Sequence, residues 1–129
     1  MALTSSQTVD RYWELMRSND FHSVGEVLHD DFTCAWPQSH ELIRGAERFA
    51  RLNEEYPADG AWTFTVERLV SQDDAVVTDT VVSDGTVTAR VVSFFTVAEG
   101  RIVHLREYWP DDYPAPEGRA HLVEALPHA

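Results

Sequence analysis

The chain has 129 residues, of which 43% are hydrophobic, and its formal net charge at pH 7 is −12. All 10 basic residues other than histidine are arginine, which excludes lysine Schiff-base chemistry and a phosphate-loop lysine. The acidic balance argues against nucleic acids and anionic membranes as partners, because both require basic side chains that neutralise phosphate.

This length and composition are typical of one globular domain, with an expected core over about residues 8–112 and a C-terminal tail at 113–129. No apolar run approaches the roughly 20 residues that span a bilayer, and the N-terminal stretch lacks the features of a signal peptide. We therefore expect a cytoplasmic protein. The only cysteine, Cys34, excludes an internal disulfide, and its place in a predicted strand favours a buried, unreactive thiol.

The first half of the chain predicts three helices. Apolar residues recur at helical spacing over 6–18, behind the Thr4–Ser6 segment, which offers N-caps. A short second helix is predicted over 21–28, and a third begins at Ala46 and ends before Pro57. Between the last two helices, we predict a short strand over Phe32 to Trp36 and then a polar loop from Gln38 to Gly45.

After Gly60 the hydrophobic period changes to two, which predicts strands. Four long strands are predicted, and they begin near Trp62, Ala75, Thr86 and Arg101. The Asp84-Gly85 pair is the strongest hairpin signal in the chain. The tail is irregular and ends in a short predicted helix over 119–126.

Helices followed by an antiparallel meander indicate an α+β fold. We expect about three helices to cover one face of a strongly curved antiparallel sheet, which gives a half-open cone. The helices do not fill the wide end of such a cone, and apolar ligands bind in cavities of this kind.

The last predicted strand carries one carboxylate among apolar residues. Because side chains alternate across a strand, one face carries Val103, Leu105, Glu107 and Trp109, and the other carries Ile102, His104, Arg106 and Tyr108. Burial in the first set would raise the pKa of Glu107 and suit it to proton transfer at neutral pH. The alternative is a rim carboxylate paired with a neighbouring arginine or hydroxyl. The second face is suited to a dimer contact.

Aromatic side chains are expected to line or fill the cone, with core packing as the alternative for each: Tyr12, Phe32, Trp36, Phe49, Tyr56, Trp62, Phe95 and Trp109. Tyr12 and Tyr56 are the better ligand contacts, because a buried hydroxyl needs a partner. Trp36 is a candidate for the pocket edge. The His29-Asp30-Asp31 run lacks the spacing of a metal motif, so we expect neither a metal nor a cofactor.

Several short motifs occur in an order that is itself informative. They are Asn19-Asp20-Phe21, Leu28 with Asp30-Asp31-Phe32, Trp36-Pro37, Arg44-Gly45, and Glu99-Gly100-Arg101-Ile102 leading to Arg106-Glu107-Tyr108-Trp109. In this order the chain resembles the nuclear transport factor 2-like superfamily, and within it the SnoaL-like branch that includes polyketide cyclases. The resemblance covers about residues 8–112. It implies a cone-shaped fold with a hydrophobic pocket and a homodimer formed through the convex sheet face.

The resemblance also implies roles for individual residues. Enzymes of this superfamily often carry an acid on the last long strand, near the position matched by Glu107. Cyclases often place a polar partner on the facing strand, for which Ser93 is the candidate. Related epoxide hydrolases use an arginine and an aspartate two residues apart on an earlier strand. The matching segment, Thr78 to Val82, has Asp79 without a nearby arginine in the sequence, which weakens the hypothesis that this chain is an epoxide hydrolase.

Two hypotheses follow. The first is an enzyme without a cofactor that cyclises, isomerises or hydrates a small apolar carbonyl compound, with Glu107 as acid/base. Its ligand-binding residues would be Tyr12, Trp36, Tyr56, Trp62, Ser93, Phe95 and Trp109. The second is a non-catalytic dimeric module that binds a small apolar ligand or another protein.

Overall fold

The chain folds into one curved, unclosed sheet with helices on one face, so the predicted α+β class is confirmed. The structure is a computed structural model, and it describes residues 3–127. The elements are α1 (Ser5–Arg17), β1 (Leu28–Trp36), β2 (Glu41–Arg44), α2 (Ala46–Glu55), β3 (Thr63–Gln72), β4 (Ala75–Ser83), β5 (Thr88–Ala98) and β6 (Arg101–Tyr108). Two 3-10 helices span Phe21–Val27 and Glu117–Leu122.

Helix α1 begins with a reciprocal cap. The Thr4 hydroxyl accepts the N–H of Gln7, and the Gln7 side chain accepts the N–H of Thr4, which satisfies two of the backbone donors that a helix start leaves free. The helix then buries its apolar stripe, which consists of Val9, Tyr12, Trp13, Leu15 and Met16. Burial of large side chains such as these contributes about 1.5–3 kcal/mol each, so α1 is held on the sheet by this stripe.

The sheet order is β2-β1-β6-β5-β4-β3. Strands β3 to β6 form the predicted antiparallel meander, because tight turns require consecutive strands to run in opposite directions. Strand β1 differs from the expected all-antiparallel sheet, since it pairs with β6 in parallel. No tight turn joins these two strands, so their relative direction is set by the fold and not by a local signal.

The polar loop predicted over Gln38 to Gly45 is wrong in its second half, which forms β2. Strand β2 pairs with β1 from Glu41 opposite Trp36 to Arg44 opposite Thr33. Only Ile43 is buried in it. An edge strand of four residues is held by backbone hydrogen bonds to one neighbouring strand. It therefore does not need alternating apolar side chains, which are the pattern from which strands are predicted.

One β-bulge decides which residues of β6 face the interior. Opposite β6, the register on β5 shifts between Thr96, which pairs with His104, and Val97, which pairs with Ile102. The extra residue, Val103, puts the alternation out of phase at this point. Ile102 is therefore fully buried and Val103 only half-buried, so the predicted assignment of these two residues was wrong. Beyond the bulge, the buried positions are those predicted.

The tail from Pro110 to Pro127 is exposed throughout. The helix predicted over 119–126 is the 3-10 segment Glu117–Leu122, which buries no residue. Among residues 3–127, none of the helices has the length and hydrophobicity of a membrane-spanning segment.

Candidate functional site

A cavity of about 500 Å³ lies between α2 and the ends of the strands. Five aromatic side chains form much of its wall: Trp36, Tyr56, Trp62, Phe64 and Trp109. The remaining apolar lining is Leu52, Val82, Val87 and Ala89, and the polar lining is Gln38, Ser39, Glu41, Asn53 and Asp111. The wall is therefore largely aromatic and aliphatic, with polar groups at a few positions, as in a small-molecule site.

The Glu107 side chain is buried on the inner face of β6, with 4% of its surface exposed. Trp36 Nε1 donates a hydrogen bond of 3.0 Å to Oε1, and Ser93 Oγ donates one of 3.2 Å to Oε2. Ser93 reaches the carboxyl because it stands directly opposite Glu107 in the β5–β6 register. The Cys34 thiol lies 4.0 Å from Oε1. Two donors thus hold the two oxygens of one buried carboxyl group.

Burial raises the pKa of Glu107 above its ordinary value, because the low-dielectric interior disfavours the charged form. The N–H of Trp36 and the O–H of Ser93 act in the opposite direction, since they stabilise the carboxylate. The indole N–H of Trp109 adds to this effect from nearby, although its geometry falls short of a hydrogen bond. The net result is a carboxyl group that keeps its proton to a higher pH than an exposed glutamate.

The carboxyl lies directly behind the cavity wall. Trp36 and Trp109 both line the cavity and both act on Glu107. Gln38 holds the backbone of Trp109 in place. The backbone N–H of Trp109 donates a hydrogen bond of 2.6 Å to Gln38 Oε1, and Gln38 Nε2 donates one of 3.3 Å to the Trp109 carbonyl. The two indoles thus connect the cavity to the buried acid.

The structure divides the predicted ligand residues into three groups. Trp36, Tyr56, Trp62 and Trp109 line the cavity, and Ser93 contacts Glu107. Tyr12 of α1 and Phe95 of β5 lie in the core, where their ring centroids are 5.1 Å apart. Neither residue lines the cavity.

The hydroxyl of Tyr12 is buried and has no hydrogen-bond partner among residues 3–127. Its burial raises its pKa, and the Glu107 carboxyl raises the pKa further. The phenol therefore stays neutral at physiological pH. It remains within electrostatic reach of Glu107, although it does not bond to it.

Sequence reasoning missed two residues that shape the site. Gln38 stands in a segment predicted as loop, and nothing in its surroundings indicates the contact with Trp109, which is 71 positions away. Cys34 was predicted as a buried thiol, and it is fully buried, but its position beside Glu107 was not foreseen. Burial raises the pKa of this thiol, and the carboxyl adds to the effect, so the sulfur stays protonated.

Asp79 has no arginine near it in the sequence, as noted above, but the fold brings one close to it in space. Arg90 Nη1 lies 2.6 Å from Asp79 Oδ1 and 2.8 Å from Glu67. The arginine comes from the next strand: Asp79 pairs with Val92 and Arg90 pairs with Val81, so the two charged residues are diagonal neighbours across β4 and β5. All three groups are partly exposed, whereas the buried positions of this part of β4 are Thr78 and Thr80. The ion pair is therefore on the outer face, away from the cavity.

The His29-Asp30-Asp31 run forms a local backbone contact. His29 Nδ1 accepts the N–H of Asp31 at 3.0 Å. Within residues 3–127, no group of three or more histidine, cysteine, aspartate or glutamate side chains is placed to hold a metal ion.

The SnoaL-like domain family matches residues 9–105, which is most of the chain. The chain belongs to this family. A proposed ketosteroid isomerase from Kribbella flavida DSM 17836 is 28% identical to this SnoaL-like protein, with a TM-score of 0.87 over 99% of this chain and 95% of that one. No curated protein matches it.

Two further solved structures place this SnoaL-like protein among related folds. A nuclear transport factor 2-like protein of unknown function from Burkholderia xenovorans LB400 is 26% identical, with a TM-score of 0.78 over 95% of each chain. An LEH-like epoxide hydrolase of M. tuberculosis is 24% identical, with a TM-score of 0.66 over 82% of each chain, a likeness of fold. The predicted superfamily and branch are thereby confirmed.

Proposed function

We propose that this SnoaL-like protein is an acid/base enzyme that moves a proton on a small, largely apolar substrate, with Glu107 as the proton-transferring group. The proposal is carried by one observation: the buried Glu107 carboxyl shares Trp36 and Trp109 with the cavity wall. A substrate in the cavity lies against the same indoles that act on the carboxyl. Entry of its reacting group between these indoles brings it to the acid.

The surroundings of Glu107 support both of its protonation states. Burial favours the neutral acid, whereas the donors from Trp36 and Ser93 favour the carboxylate. As the carboxylate, Glu107 takes a proton from the carbon next to a carbonyl group, and the C–H electrons form the enolate. As the acid, it returns the proton to oxygen or to another carbon. Such a step is worth roughly 10²- to 10⁴-fold in rate, and it is common to isomerisation and cyclisation.

The proposed ligand-binding residues take separate roles. Trp36, Tyr56, Trp62 and Trp109 contact the ligand from the cavity wall. Ser93 orients the carboxyl. Tyr12 and Phe95 support the inner side of the site from the core, where both are almost completely buried.

A second candidate function is a module that binds a small apolar ligand without chemistry. The observation in its favour is that Glu107 is 4% exposed and is itself not part of the cavity lining. In that case the carboxyl only anchors the Trp36 indole. The two functions share the ligand site and differ in whether Glu107 exchanges protons with the ligand.

The test is exchange of hydrogen for deuterium next to the carbonyl of small ketones, such as phenylacetone and 2-tetralone, followed by NMR in D₂O. Glu107→Gln keeps the side-chain shape and an acceptor for Trp36 but cannot transfer a proton. We expect this variant to lower the exchange rate by about 10²-fold or more. Glu124→Gln, on the exposed tail, is the control and should exchange like the wild type. Equal rates in wild type and Glu107→Gln would leave the binding module as the function.

We also propose a homodimer through the outer face of the sheet. The Arg106 guanidinium lies 4.9 Å from the ring centroid of Phe94 and 5.8 Å from that of Tyr108. Aromatic residues and arginine on one surface are the composition that protein interfaces favour. Sedimentation at micromolar concentration should give a dimer, and Arg106→Glu should shift it toward monomer. A wild-type monomer under these conditions would refute the dimer.

A further inference from the structure

The charged side chains that line the cavity are all acidic. Glu41 and Asp111 both line the cavity, and no arginine or histidine of residues 3–127 does so. Neither carboxylate forms an ion pair within that part of the chain; Glu41 only accepts a hydrogen bond of 2.6 Å from Ser39 Oγ. Both side chains are exposed, so a ligand in the cavity can reach them.

The aromatic part of the wall adds a second preference for positive charge. Three tryptophans and Tyr56 line the same cavity, and the Tyr56 and Trp62 rings meet edge to face with centroids 6.1 Å apart. The faces of aromatic rings attract cations through their quadrupoles, and tryptophan does so most strongly. Tyr56 is 55% exposed, so its ring is available to a ligand. Aromatic rings beside carboxylates are the combination that recognises organic ammonium groups.

Two arginines of α2 lie close to the cavity but outside it. Arg48 and Arg51 line a separate, shallower depression, which shares only Leu52 and Tyr56 with the cavity. Arg51 is paired there with Glu55 at 3.4 Å. The overall net charge of −12 adds to the attraction of a cation and the repulsion of an anion.

We propose that the cavity takes a small organic cation, an ammonium group carried on an apolar body, in preference to a neutral molecule or a carboxylate of similar shape. This inference rests on the proposed use of the cavity as the ligand site. It adds the charge of the substrate, with the ammonium group held by Glu41, Asp111 and the aromatic rings that line the same cavity.

The experiment compares three para-substituted phenols by isothermal titration calorimetry at neutral pH and low salt. They are (4-hydroxyphenyl)trimethylammonium, its uncharged isostere 4-tert-butylphenol, and 4-hydroxybenzoate. We expect the ammonium compound to bind about tenfold more tightly than 4-tert-butylphenol, from cation–π attraction and two carboxylates. The benzoate should bind most weakly. Salt should reduce the preference, because both carboxylates are exposed.

A charge-matched pair of double variants assigns the preference to the cavity. Glu41→Gln/Asp111→Asn removes both lining carboxylates and should reduce the preference for the cation to about threefold or less. Asp10→Asn/Glu124→Gln removes the same charge at exposed positions outside the cavity and should keep the tenfold preference. The same loss in both double variants would overturn the inference, because the effect would then come from net charge.

The outcomes also separate this inference from the proposed function. Binding of 4-tert-butylphenol as tightly as the ammonium compound, or tighter binding of the benzoate, overturns the charge preference and leaves the acid/base proposal standing. Failure of all three compounds to bind at millimolar concentration counts against the cavity as a ligand site and overturns both.

Discussion

Trp36 and Glu107 are joined by a hydrogen bond of 3.0 Å between Nε1 and Oε1, across 71 positions of sequence. The bond connects the end of β1 to β6, two strands that pair in parallel. The same indole forms part of the cavity wall. One side chain therefore stabilises the buried carboxylate and contacts whatever occupies the cavity, which makes the protonation of Glu107 sensitive to the ligand.

Replacement of Trp36 by phenylalanine should raise the pKa of Glu107. The variant keeps an aromatic wall but loses the N–H that stabilises the carboxylate, and a hydrogen bond to a charged group is worth about 1.5 kcal/mol or more. We expect on the order of a tenfold change in the ionisation constant, measured by ¹³C NMR of labelled glutamate carboxyls. Trp62→Phe alters another tryptophan of the cavity wall and is the control. Equal shifts in both variants would show that the bond is unimportant.

Glu107 should make the protein less stable as pH rises. Its pKa is raised in the folded state, so between the unfolded value of about 4.3 and the folded value the native protein binds more protons than the unfolded chain. The free energy of unfolding therefore falls with increasing pH in that window, by at most about 1.4 kcal/mol per pH unit from this group.

Urea denaturation of wild type and Glu107→Gln from pH 4 upward measures this contribution. The variant has no titrating group at this position, so the wild type should lose stability relative to it as pH rises. Relative stability that increases with pH would mean that the hydrogen bonds outweigh burial and that the folded pKa is lowered.

Phe95 and Tyr56 should respond to truncation in opposite ways. Phe95 is 2% exposed in the core, so Phe95→Ala should cost about 3–5 kcal/mol of stability through lost burial and a cavity. Tyr56 is 55% exposed on the cavity wall. Tyr56→Ala should therefore cost under about 1 kcal/mol, but it should weaken binding of the ammonium phenol. Chemical denaturation and calorimetry on the same samples test both, and a large stability loss in Tyr56→Ala would contradict the assignment.

Asn19 should matter for stability through its side chain and its backbone. Its side-chain amide donates a hydrogen bond of 2.8 Å to the Trp62 carbonyl and accepts one of 2.7 Å from the Trp62 backbone N–H. The φ angle of Asn19 is +60°. Asn19→Ala loses both bonds and places alanine in the left-handed region, so we expect a loss of about 2–3 kcal/mol. Asn19→Gly loses the bonds but tolerates the angle, and should cost about 1 kcal/mol less. Equal losses in the two variants would show that the backbone angle contributes nothing.

Asn19 also shows which part of a structure a local sequence motif can predict. The Asn19-Asp20-Phe21 motif contributed to the family resemblance as a local pattern, and the turn after α1 is where it was expected. The bond partner of Asn19 is Trp62, 43 positions away. The pattern indicated the presence of a turn, whereas the tie between that turn and the cavity wall requires the folded chain.

Within single elements, the sequence by itself determined most of this protein. The stripe of α1 and the inward position of Glu107 follow from periods of 3.6 and 2, which are geometric properties of one helix or strand. The cap of α1 and the turns of the meander follow from local residue types such as Thr4 and the Asp84-Gly85 pair. The tertiary structure alone decided the parallel β1–β6 pair, the bulge that buries Ile102, and the bond between Trp36 and Glu107. These depend on the register between distant strands, which is set by the sum of many backbone and packing contacts and has no local signal.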